Sequence, residues 1–522
     1  MRQSPGVSRR ALLQHAAALA CTGAWPSGVD AQALAATAPP FTPPTQGTVP
    51  AAYTPRVIDA AGAQADVALL GRALKAIHPG LTRRSSAAEM DAGFSSLRAS
   101  VQGPVGELDF YRELSALLAL VRCSHTKAEA PAAFERWRRV HPSHVPLRFR
   151  WLEGRMVVVS CADAALPVGS EVLALNGRAV SDWMQTLGRL VSVDGHTPWA
   201  RDANLADDGD LMGSGFDHFL PCVAGLPKRF ELDAIRLGER SPSRLSLAPL
   251  SFEDWLKLPN GSRTWRANFS EATQWRLLRP GTGYLRVGTF VNYRKPTDAQ
   301  ALFTRAMLDL QAQGARQLIV DLRDNGGGSD DAALALLDHL ALKPYTYQRA
   351  MRLKAVRYGD LEAHIETWGD RQALFHAPLS QFTRTPEGWY ERRAEDHPEH
   401  LQPRQPAAAA FGGEVVVLTG PLNASGATMV VAKLQDMGRA RLVGGRCGGS
   451  ADGPTAGRIF TVVLPSSGIR VRIPLVFNQM AVTRYDPRGG ISPDVLVEET
   501  VEHFRAGHDE VLAQALKTLG AA

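Results

Sequence analysis

Residues 317–329 read QLIVDLRDNGGGS, and this stretch decides the fold class. Its first six residues, 317–322, form a short apolar run typical of a strand that is buried on both faces. Three glycines follow at 326–328, and apolar residues then recur at helical spacing over 330–342. The stretch predicts a strand, a glycine-rich turn at its carboxyl end, and a helix that begins directly behind the turn.

The flanking sequence repeats this order of elements. Further strands are predicted over 284–290, 415–419 and 441–443, and further helices over 297–313 and 425–437. Strands that alternate with helices predict a mainly parallel sheet covered on both faces, which is an α/β fold. The chemistry of such sheets lies beyond the carboxyl ends of the strands.

Upstream of this region, the sequence predicts helices first and short strands after them. Apolar residues recur at helical spacing from about 66 to 121, and shorter strand patterns follow, including GSEVLALNGR at 169–178, which ends on an Asn-Gly turn. That segment resembles a PDZ domain, although a generic β-hairpin explains it as well. We therefore predict several domains: an export signal (1–33), a linker (34–55), a helical amino-terminal domain (56–145), a PDZ-like β domain (146–200), a connecting segment (201–280) and a core domain (281–522).

Length and composition exclude several classes of protein. The 522 residues include 45% hydrophobic and 21% charged residues, which is close to the globular average, and the formal net charge is only +6. A small charge without a long basic run argues against a nucleic-acid partner. No stretch approaches the roughly 18 apolar residues of a membrane span, so we expect no integral membrane segment.

The first residues resemble a twin-arginine export signal. Residues 8–13 read SRRALL, an Ala-rich apolar run continues to Cys21, and AQA at 31–33 offers small residues to a signal peptidase. A lipoprotein signal ending at Cys21 and a cytoplasmic amphipathic helix are the alternatives. The interpretation we prefer is cleavage after Ala33 and a periplasmic or secreted protein.

Four cysteines remain after cleavage. They are Cys123, Cys161, Cys222 and Cys447, widely and irregularly spaced with no C-x-x-C pair. This spacing indicates neither a zinc site nor a redox motif. We expect free buried thiols or one disulfide.

Two turns carry residues suited to chemistry. The glycines of DLRDNGGGS let backbone amides approach an anion or oxyanion at a helix amino terminus. The second turn, LTGPLNASGAT at 418–428, places Ser425 where its hydroxyl stands above the sheet. Such a serine is either an N-cap or a nucleophile. Its surroundings do not fit the G-x-S-x-G elbow of α/β-hydrolases.

Together the turns resemble the tail-specific, or C-terminal processing, serine peptidases. That family reads DLR-x-N-x-GG, then S-A-S and GE-x-T-x-G, and it ends with G-I-x-P-D; here the corresponding segments are 321–328, 425–427, 443–449 and GGISPDV at 489–495. LPSSG at 464–468 and, more weakly, IHPG at 77–80 add to the resemblance. It covers roughly 281–500 and implies a ClpP/crotonase-like core, a serine nucleophile and protein or peptide substrates.

One departure concerns the catalytic base. Most members have a lysine at the position of Ser450, and this chain has no lysine between Lys433 and Lys517. The chain therefore resembles the interphotoreceptor retinoid-binding protein-like and tricorn-like branch that lacks the catalytic lysine, and the tricorn-like members use a histidine from the amino-terminal part instead. CSHT at 123–126 and DGHT at 194–197 each offer a histidine, and we prefer His125 to His196 because it follows the long helix of the amino-terminal domain.

The resemblance also suggests the remaining roles. Ser425 is predicted as nucleophile and His125 as base, with assistance from Ser124 and orientation by Asp486. The amides of Gly327 and Gly426 are predicted to bind the oxyanion. No metal or organic cofactor is implied.

The sequence leaves two further points open. His397 and His400 lie in a polar, Pro-rich stretch and are expected to be solvated rather than metal-bound. Alternative functions are a non-catalytic binding protein on the same fold, or an esterase or amidase using the same site. The oligomeric state is not predicted.

Overall fold

The computed structural model describes residues 52–208, 211–259, 267–367 and 371–520. At its centre lies a six-stranded sheet, here called the central sheet. Its strands follow the spatial order Thr273–Arg279, Thr282–Val287, Gln317–Asp321, Glu414–Thr419, Arg441–Gly444 and Val495–Leu496. The first pair is antiparallel and every later pair is parallel. The predicted α/β fold class is confirmed.

Alternate residues of the central strands face two apolar layers. In the strand that precedes the glycine turn, Leu318 and Val320 belong to one buried cluster and Ile319 belongs to another. This division follows from the two-residue repeat of a strand, which sends successive side chains to opposite faces. An uninterrupted apolar run is therefore what a sheet covered on both faces requires.

Helices cover both faces. Residues of Ala299–Ala312, Asp330–Leu340 and Ser425–Asp436 join the cluster that contains Leu318, and Glu510–Gly520 packs on the opposite face. The strands Gln317–Asp321 and Glu414–Thr419 are parallel neighbours, with Asp321 opposite Leu418. Both turns of interest therefore leave the same edge of the central sheet.

A second sheet, here called the long sheet, is antiparallel. Its strands follow the order Ile365–Glu366, Thr455–Val463, Arg470–Met480, Gln348–Leu353, Tyr390–Arg392 and Phe382–Arg384. The short strand Lys127–Ala128 also pairs with Arg470–Met480. The upstream chain is thus attached to the long sheet directly after residue 125.

A third sheet contains the segment with the PDZ-like motif. Its main strands are Leu147–Leu152, Arg155–Cys161, Glu171–Leu175, Phe230–Ile235 and Ser243–Leu247, and Arg178–Ala179 pairs with the third of them. Asn176 and Gly177 both have positive φ, at 52° and 74°, so the predicted Asn-Gly turn is present. The last two strands come from the predicted connecting segment, and the third sheet therefore extends beyond residue 200.

The amino-terminal part is helical, as the residue spacing indicates. Its helices are Ala60–Ile77, Ala87–Ser100, Glu107–Ala119 and Ala132–Val140, and Val180–Gly188, Pro198–Ala206 and Gly215–Ala224 pack beside the third sheet. The short helices are Phe252–Trp255, Phe269–Ala272, Arg371–Phe375, Pro398–Leu401 and Val501–Ala506, with 3₁₀ turns Gly359–His364, Leu379–Gln381 and Ala394–Asp396. Two antiparallel strand pairs are also present: Val57–Ile58 with Val105–Gly106, and Tyr345–Thr346 with Pro403–Arg404.

The described residues bear on the predictions about membrane spans and cysteines. No helix in the described part of the chain is long and apolar enough to cross a membrane. Cys123, Cys161, Cys222 and Cys447 are all free thiols, and three of them are buried while Cys161 is partly exposed. The predicted export signal (1–33) and most of the linker (34–55) lie outside the described residues.

Candidate active site

The glycine turn is anchored by a buried carboxylate at its start. Asp321 accepts hydrogen bonds from the Arg323 side chain at 2.7 and 3.0 Å and from the Tyr284 hydroxyl at 2.6 Å. Burial opposes its charge, but these hydrogen bonds outweigh burial and lower the pKa of Asp321. Arg323 also binds Asp509 at 2.7 Å. The first residues of the turn are therefore fixed by ionic contacts rather than left as a flexible loop.

Asn325 shapes the middle of the turn. Its side chain is fully buried, donates to the Val287 carbonyl at 3.0 Å, and accepts the Gly327 N–H at 2.8 Å. The Gly327 amide, predicted as an oxyanion donor, is thus already engaged inside the turn. Gly327 has φ of +101°, a conformation that side chains rarely adopt.

Ser425 has a strained backbone at the amino terminus of its helix. Ala424, in an extended conformation, is the N-cap, and no side chain caps this helix. Ser425 is the first helical residue and has φ of +48°. The alternative that Ser425 is an N-cap is therefore not what the structure shows. Strain of this kind persists where surrounding structure imposes it, and it concentrates at active sites.

Asn423 joins the two turns. Its buried amide group donates to the carbonyls of Leu322 and Asn325, the latter at 3.1 Å, and its side-chain oxygen accepts the Gly420 N–H at 2.9 Å. A buried amide with all these contacts satisfied is a rigid connection, because breaking any of them leaves an unpaired polar group. The Asn423 side chain therefore holds Ser425 against the glycine turn.

Gly327 and Ser425 are close neighbours. A Cβ added to Gly327 would lie 2.8 Å from the Ser425 Cβ and 2.9 Å from the Gly426 nitrogen. These distances are shorter than any ordinary contact, so only glycine fits at 327. The structure brings Ser425, Gly426 and Gly327 together, as the sequence predicts for turns at one edge of a parallel sheet.

The candidate histidine lies in a second cluster of polar residues. Ser124 donates its N–H and its hydroxyl to the two oxygens of the buried Asp194 carboxylate, both at 2.9 Å. The same hydroxyl lies 3.3 Å from Nδ1 of His125. Ser124 therefore connects the imidazole to a carboxylate, and Asp194 is the carboxylate that sequence reasoning did not assign.

A second histidine supports the segment that carries His125. Nε2 of His78 lies 2.9 Å from the Thr126 hydroxyl, and the Gly80 N–H donates to Nδ1 of His78 at 2.9 Å. Burial is the main cause that lowers the pKa of His78, to about 3, so this ring is neutral. With Nδ1 accepting, Nε2 carries the proton and donates to Thr126. The IHPG segment thus fixes the residue that follows His125.

The carboxylate of Asp486 has its hydrogen-bond partners outside this cluster. Its carboxylate is 44% exposed and binds the N–H and the side chain of Arg488. The backbone N–H of Arg488 is the first cause that lowers the pKa of Asp486. These contacts make Asp486 part of a surface turn, whereas Asp194 lies beside His125.

The rival histidine also has other contacts. His196 is exposed, its N–H donates to the Arg488 carbonyl at 2.7 Å, and its Nε2 lies 3.2 Å from the Arg84 carbonyl. The ring is directed to a backbone carbonyl at the surface rather than to a carboxylate.

Contacts run from the histidine cluster to Ser425. Asp194 and Gly195 pack on Gly489, where an added Cβ would lie 2.9 Å from the Ser450 hydroxyl. The neighbouring Gly449 N–H donates to the carbonyl of Asn423 at 2.9 Å, two residues before Ser425. Cys123 adds a second connection, since its Sγ lies 2.8 Å from the Thr455 hydroxyl. The long sheet and its loops therefore hold both halves of the site.

Part of the chain matches a known protein family. Residues 281–497 match the model described as peptidase family S41. We call this matched part of the chain the S41 domain. The S41 domain contains the glycine turn, Ser425, Ser450 and Asp486, whereas Ser124, His125 and Asp194 come from the chain before it. The S41 domain makes this a serine-type peptidase, a class that acts on protein or peptide substrates.

The similarity of the chain to solved structures extends beyond the S41 domain. Mature CPAF complexed with lactacystin covers 88% of this chain and 98% of its own, with a TM-score of 0.60 and 15% identity. Mature CPAF without that compound has a TM-score of 0.56 and also 15% identity, over 85% of this chain and 94% of its own. The photosystem II D1 C-terminal processing protease is 17% identical, with a TM-score of 0.39 over 84% of this chain and 93% of its own. The CPAF structures show a shared fold, and no curated protein sequence matches the chain.

The S41 domain has a buried hydroxyl at the position where most members have lysine. Ser450 is 3% exposed, and its Oγ has no hydrogen-bond partner among the described residues. Oγ1 of Thr428, one helical turn after Ser425, is also buried without a hydrogen-bond partner among the described residues. A serine hydroxyl is no base near neutral pH, so Ser450 does not replace the lysine in that role.

Proposed function

We propose that this chain is an exported serine peptidase in which Ser425 attacks the scissile carbonyl and His125 transfers the proton. The observation that carries the proposal is the strained Ser425 backbone beside Gly327, at the edge of the central sheet. A strained nucleophile next to backbone amides is the arrangement that acyl transfer requires.

The amide of Gly426 is the proposed oxyanion donor. It belongs to the first turn of the helix Ser425–Asp436, where amides have no partner within the helix. The Gly327 N–H donates a hydrogen bond to Asn325. The first contribution of Gly327 to the site is therefore that it has no side chain to displace Ser425. Its amide joins the oxyanion site only when a substrate competes with Asn325.

His125 is the proposed base because of its neighbours. Ser124 places a hydroxyl between the His125 ring and Asp194, and this hydroxyl transmits the orienting effect of the carboxylate to the imidazole. Asp194 takes the role that the sequence suggested for Asp486. A positive charge that forms on His125 during the reaction lies next to the buried Asp194 carboxylate, which stabilises it.

Export remains part of the proposal and rests on the sequence. The SRRALL segment and the AQA site support twin-arginine export followed by cleavage after Ala33. The four free cysteines do not bear on this point, because a cysteine without a nearby cysteine forms no internal disulfide even in an oxidising compartment.

A fluorophosphonate probe tests the function. It reacts only with an activated serine, so wild-type protein should be labelled and Ser425→Ala should not. Peptide mapping should find the adduct on Ser425. An unlabelled wild-type protein would favour a non-catalytic binding protein, and label on another serine would reject Ser425.

Substrate preference is a separate measurement. A peptidase should cleave an unfolded protein substrate with a higher kcat/KM than a simple p-nitrophenyl ester. The opposite ranking, with Ser425 labelled, would identify an esterase or amidase.

A further inference from the structure

Three side chains beside the proposed base offer the ligands of a zinc site. The Cys123 sulfur, a nitrogen of His125 and an oxygen of Asp194 all lie within 4.8 Å of one another. Zinc in proteins prefers thiolate, imidazole and carboxylate ligands at about 2.0 to 2.3 Å, which separates the ligand atoms by about 3 to 4 Å. The three side chains therefore need to approach one another by at most about 1 to 2 Å to bind the ion.

Neighbouring groups already orient two of these ligands. Asp194 accepts two hydrogen bonds from Ser124, and the Thr455 hydroxyl lies 2.8 Å from the Cys123 sulfur. Once the thiol has lost its proton, the Thr455 hydroxyl can donate to the resulting thiolate. Such outer contacts are what metal sites use to hold their ligands and raise affinity.

We propose that Cys123, His125 and Asp194 form an inhibitory site for Zn²⁺, with the fourth position open to water. Binding replaces the thiol proton, which leaves to solvent, with a zinc–sulfur bond. An imidazole bound to zinc through one nitrogen carries its proton on the other, so neither nitrogen of His125 can then accept the proton of Ser425. The inhibitory part rests on the proposed function, while the metal site itself does not.

The charge around the site makes binding reversible. Asp194 and the Cys123 thiolate together neutralise the ion, but Arg83 lies close enough to interact with both. A guanidinium beside a divalent cation weakens the affinity. We therefore expect zinc to act as a regulator that chelators remove, and not as a permanent structural ion.

A second group of similar residues is less suited to a metal. His397, Glu399 and His400 also lie within 4.8 Å of one another. The Arg392 side chain donates to Nε2 of His397 at 2.9 Å, and the two nitrogens of His400 contact Glu399 at 2.8 Å and Asp330 at 3.2 Å. A buried arginine and a doubly hydrogen-bonded imidazole already balance these carboxylates.

Cobalt is a direct probe of the site. Co²⁺ added to the reduced, metal-free protein should produce the near-ultraviolet absorption of a thiolate–cobalt bond. Cys123→Ser should abolish that band, and Cys123→Ala serves as a second variant if the serine variant does not fold. Cys161→Ser, which changes a free thiol of the third sheet, should keep it. Absence of the band in wild type, or its persistence without Cys123, would overturn the proposal.

Zinc inhibition then tests the regulatory role. For Cys123→Ser, the half-inhibitory Zn²⁺ concentration, measured relative to the zinc-free activity of the same variant, should rise by about tenfold or more, the scale of disturbing a zinc site. Cys161→Ser should match wild type, and EDTA should restore activity. Equal inhibition of wild type and Cys123→Ser would contradict inhibition through this site. An inactive wild type that shows the cobalt band would contradict the peptidase proposal and support the metal site.

Discussion

Ser124 and Asp194 are joined by two hydrogen bonds of 2.9 Å, one from the backbone N–H and one from the hydroxyl of Ser124. The two residues are far apart in sequence, and neither lies in the S41 domain. Together they place a buried carboxylate behind His125. This contact fixes the orientation of the proposed base before substrate arrives.

Asp194→Asn should therefore impair catalysis while the fold persists. Losing the carboxylate that orients a catalytic imidazole typically costs a large factor, so kcat/KM should fall by roughly a hundredfold or more. The matched variant is Asp486→Asn, whose carboxylate binds Arg488 at the surface, and it should remain close to wild type. A loss in Asp486→Asn alone would restore the assignment made from sequence.

Gly327→Ala should also remove activity. A Cβ at this position lies 2.8 Å from the Ser425 Cβ, and φ of +101° adds strain. Displacing the oxyanion site should lower kcat by roughly a hundred- to a thousandfold. Gly326→Ala is the control, because its nearest contact would be 3.8 Å away. Equal turnover of both variants would mean that the turn has another purpose.

The ionic contacts of the buried His400 side chain predict that the stability of the protein depends on pH. Burial opposes the charge of His400, but hydrogen bonds to Asp330 and Glu399 outweigh it and raise the pKa of His400 to about 9. Its stabilising contribution is complete below the unfolded-state pKa of about 6.5. It is lost as the pH rises through about 9, on the order of 3 kcal/mol since each pK unit is worth about 1.4 kcal/mol.

Urea unfolding of wild type and His400→Gln across this pH range measures the effect. The difference between the two free energies of unfolding should shrink as the pH rises from about 6.5 to above 9. A difference that does not change with pH would show that His400 is neutral in the folded protein.

Export makes a prediction of its own. Changing Arg9 and Arg10 together to lysine should leave an uncleaved precursor in the cytoplasm, because the receptor of this pathway reads the arginine pair. Immunoblots of cytoplasmic and periplasmic fractions measure the outcome. Normal periplasmic accumulation of processed protein would reject twin-arginine export.

The core and the position of Ser425 beside the glycine turn could be predicted because their signals are local. The strand 317–322, its glycine turn and the helix after it follow from adjacent residues, and the structure has Gln317–Asp321 and Asp330–Leu340 in their place. The meeting of Gly327 with Ser425 follows from parallel strands that end at one edge. Neither step requires knowledge of distant contacts.

The base side of the site depends on tertiary structure. Asp194 lies two residues before His196, so the sequence suggests a contact between these two side chains. In the folded chain the Asp194 carboxylate instead lies at Ser124. His400 was expected to be solvated and is instead 2% exposed, because Asp330 and Glu399 compensate its charge. Pairings between distant segments of this kind leave no periodic pattern in the sequence.

The central claim is that Ser425 and His125 act as one catalytic unit. The most direct measurement is kcat/KM on a protein substrate for Ser425→Ala, His125→Ala and the double variant, with His196→Ala as control. Each single variant should abolish measurable turnover, the double variant should be no worse, and His196→Ala should stay within a fewfold of wild type, because groups acting as a unit are strongly non-additive. An active His125→Ala beside an inactive His196→Ala would contradict the assignment of the base, and an active Ser425→Ala would contradict the mechanism as a whole.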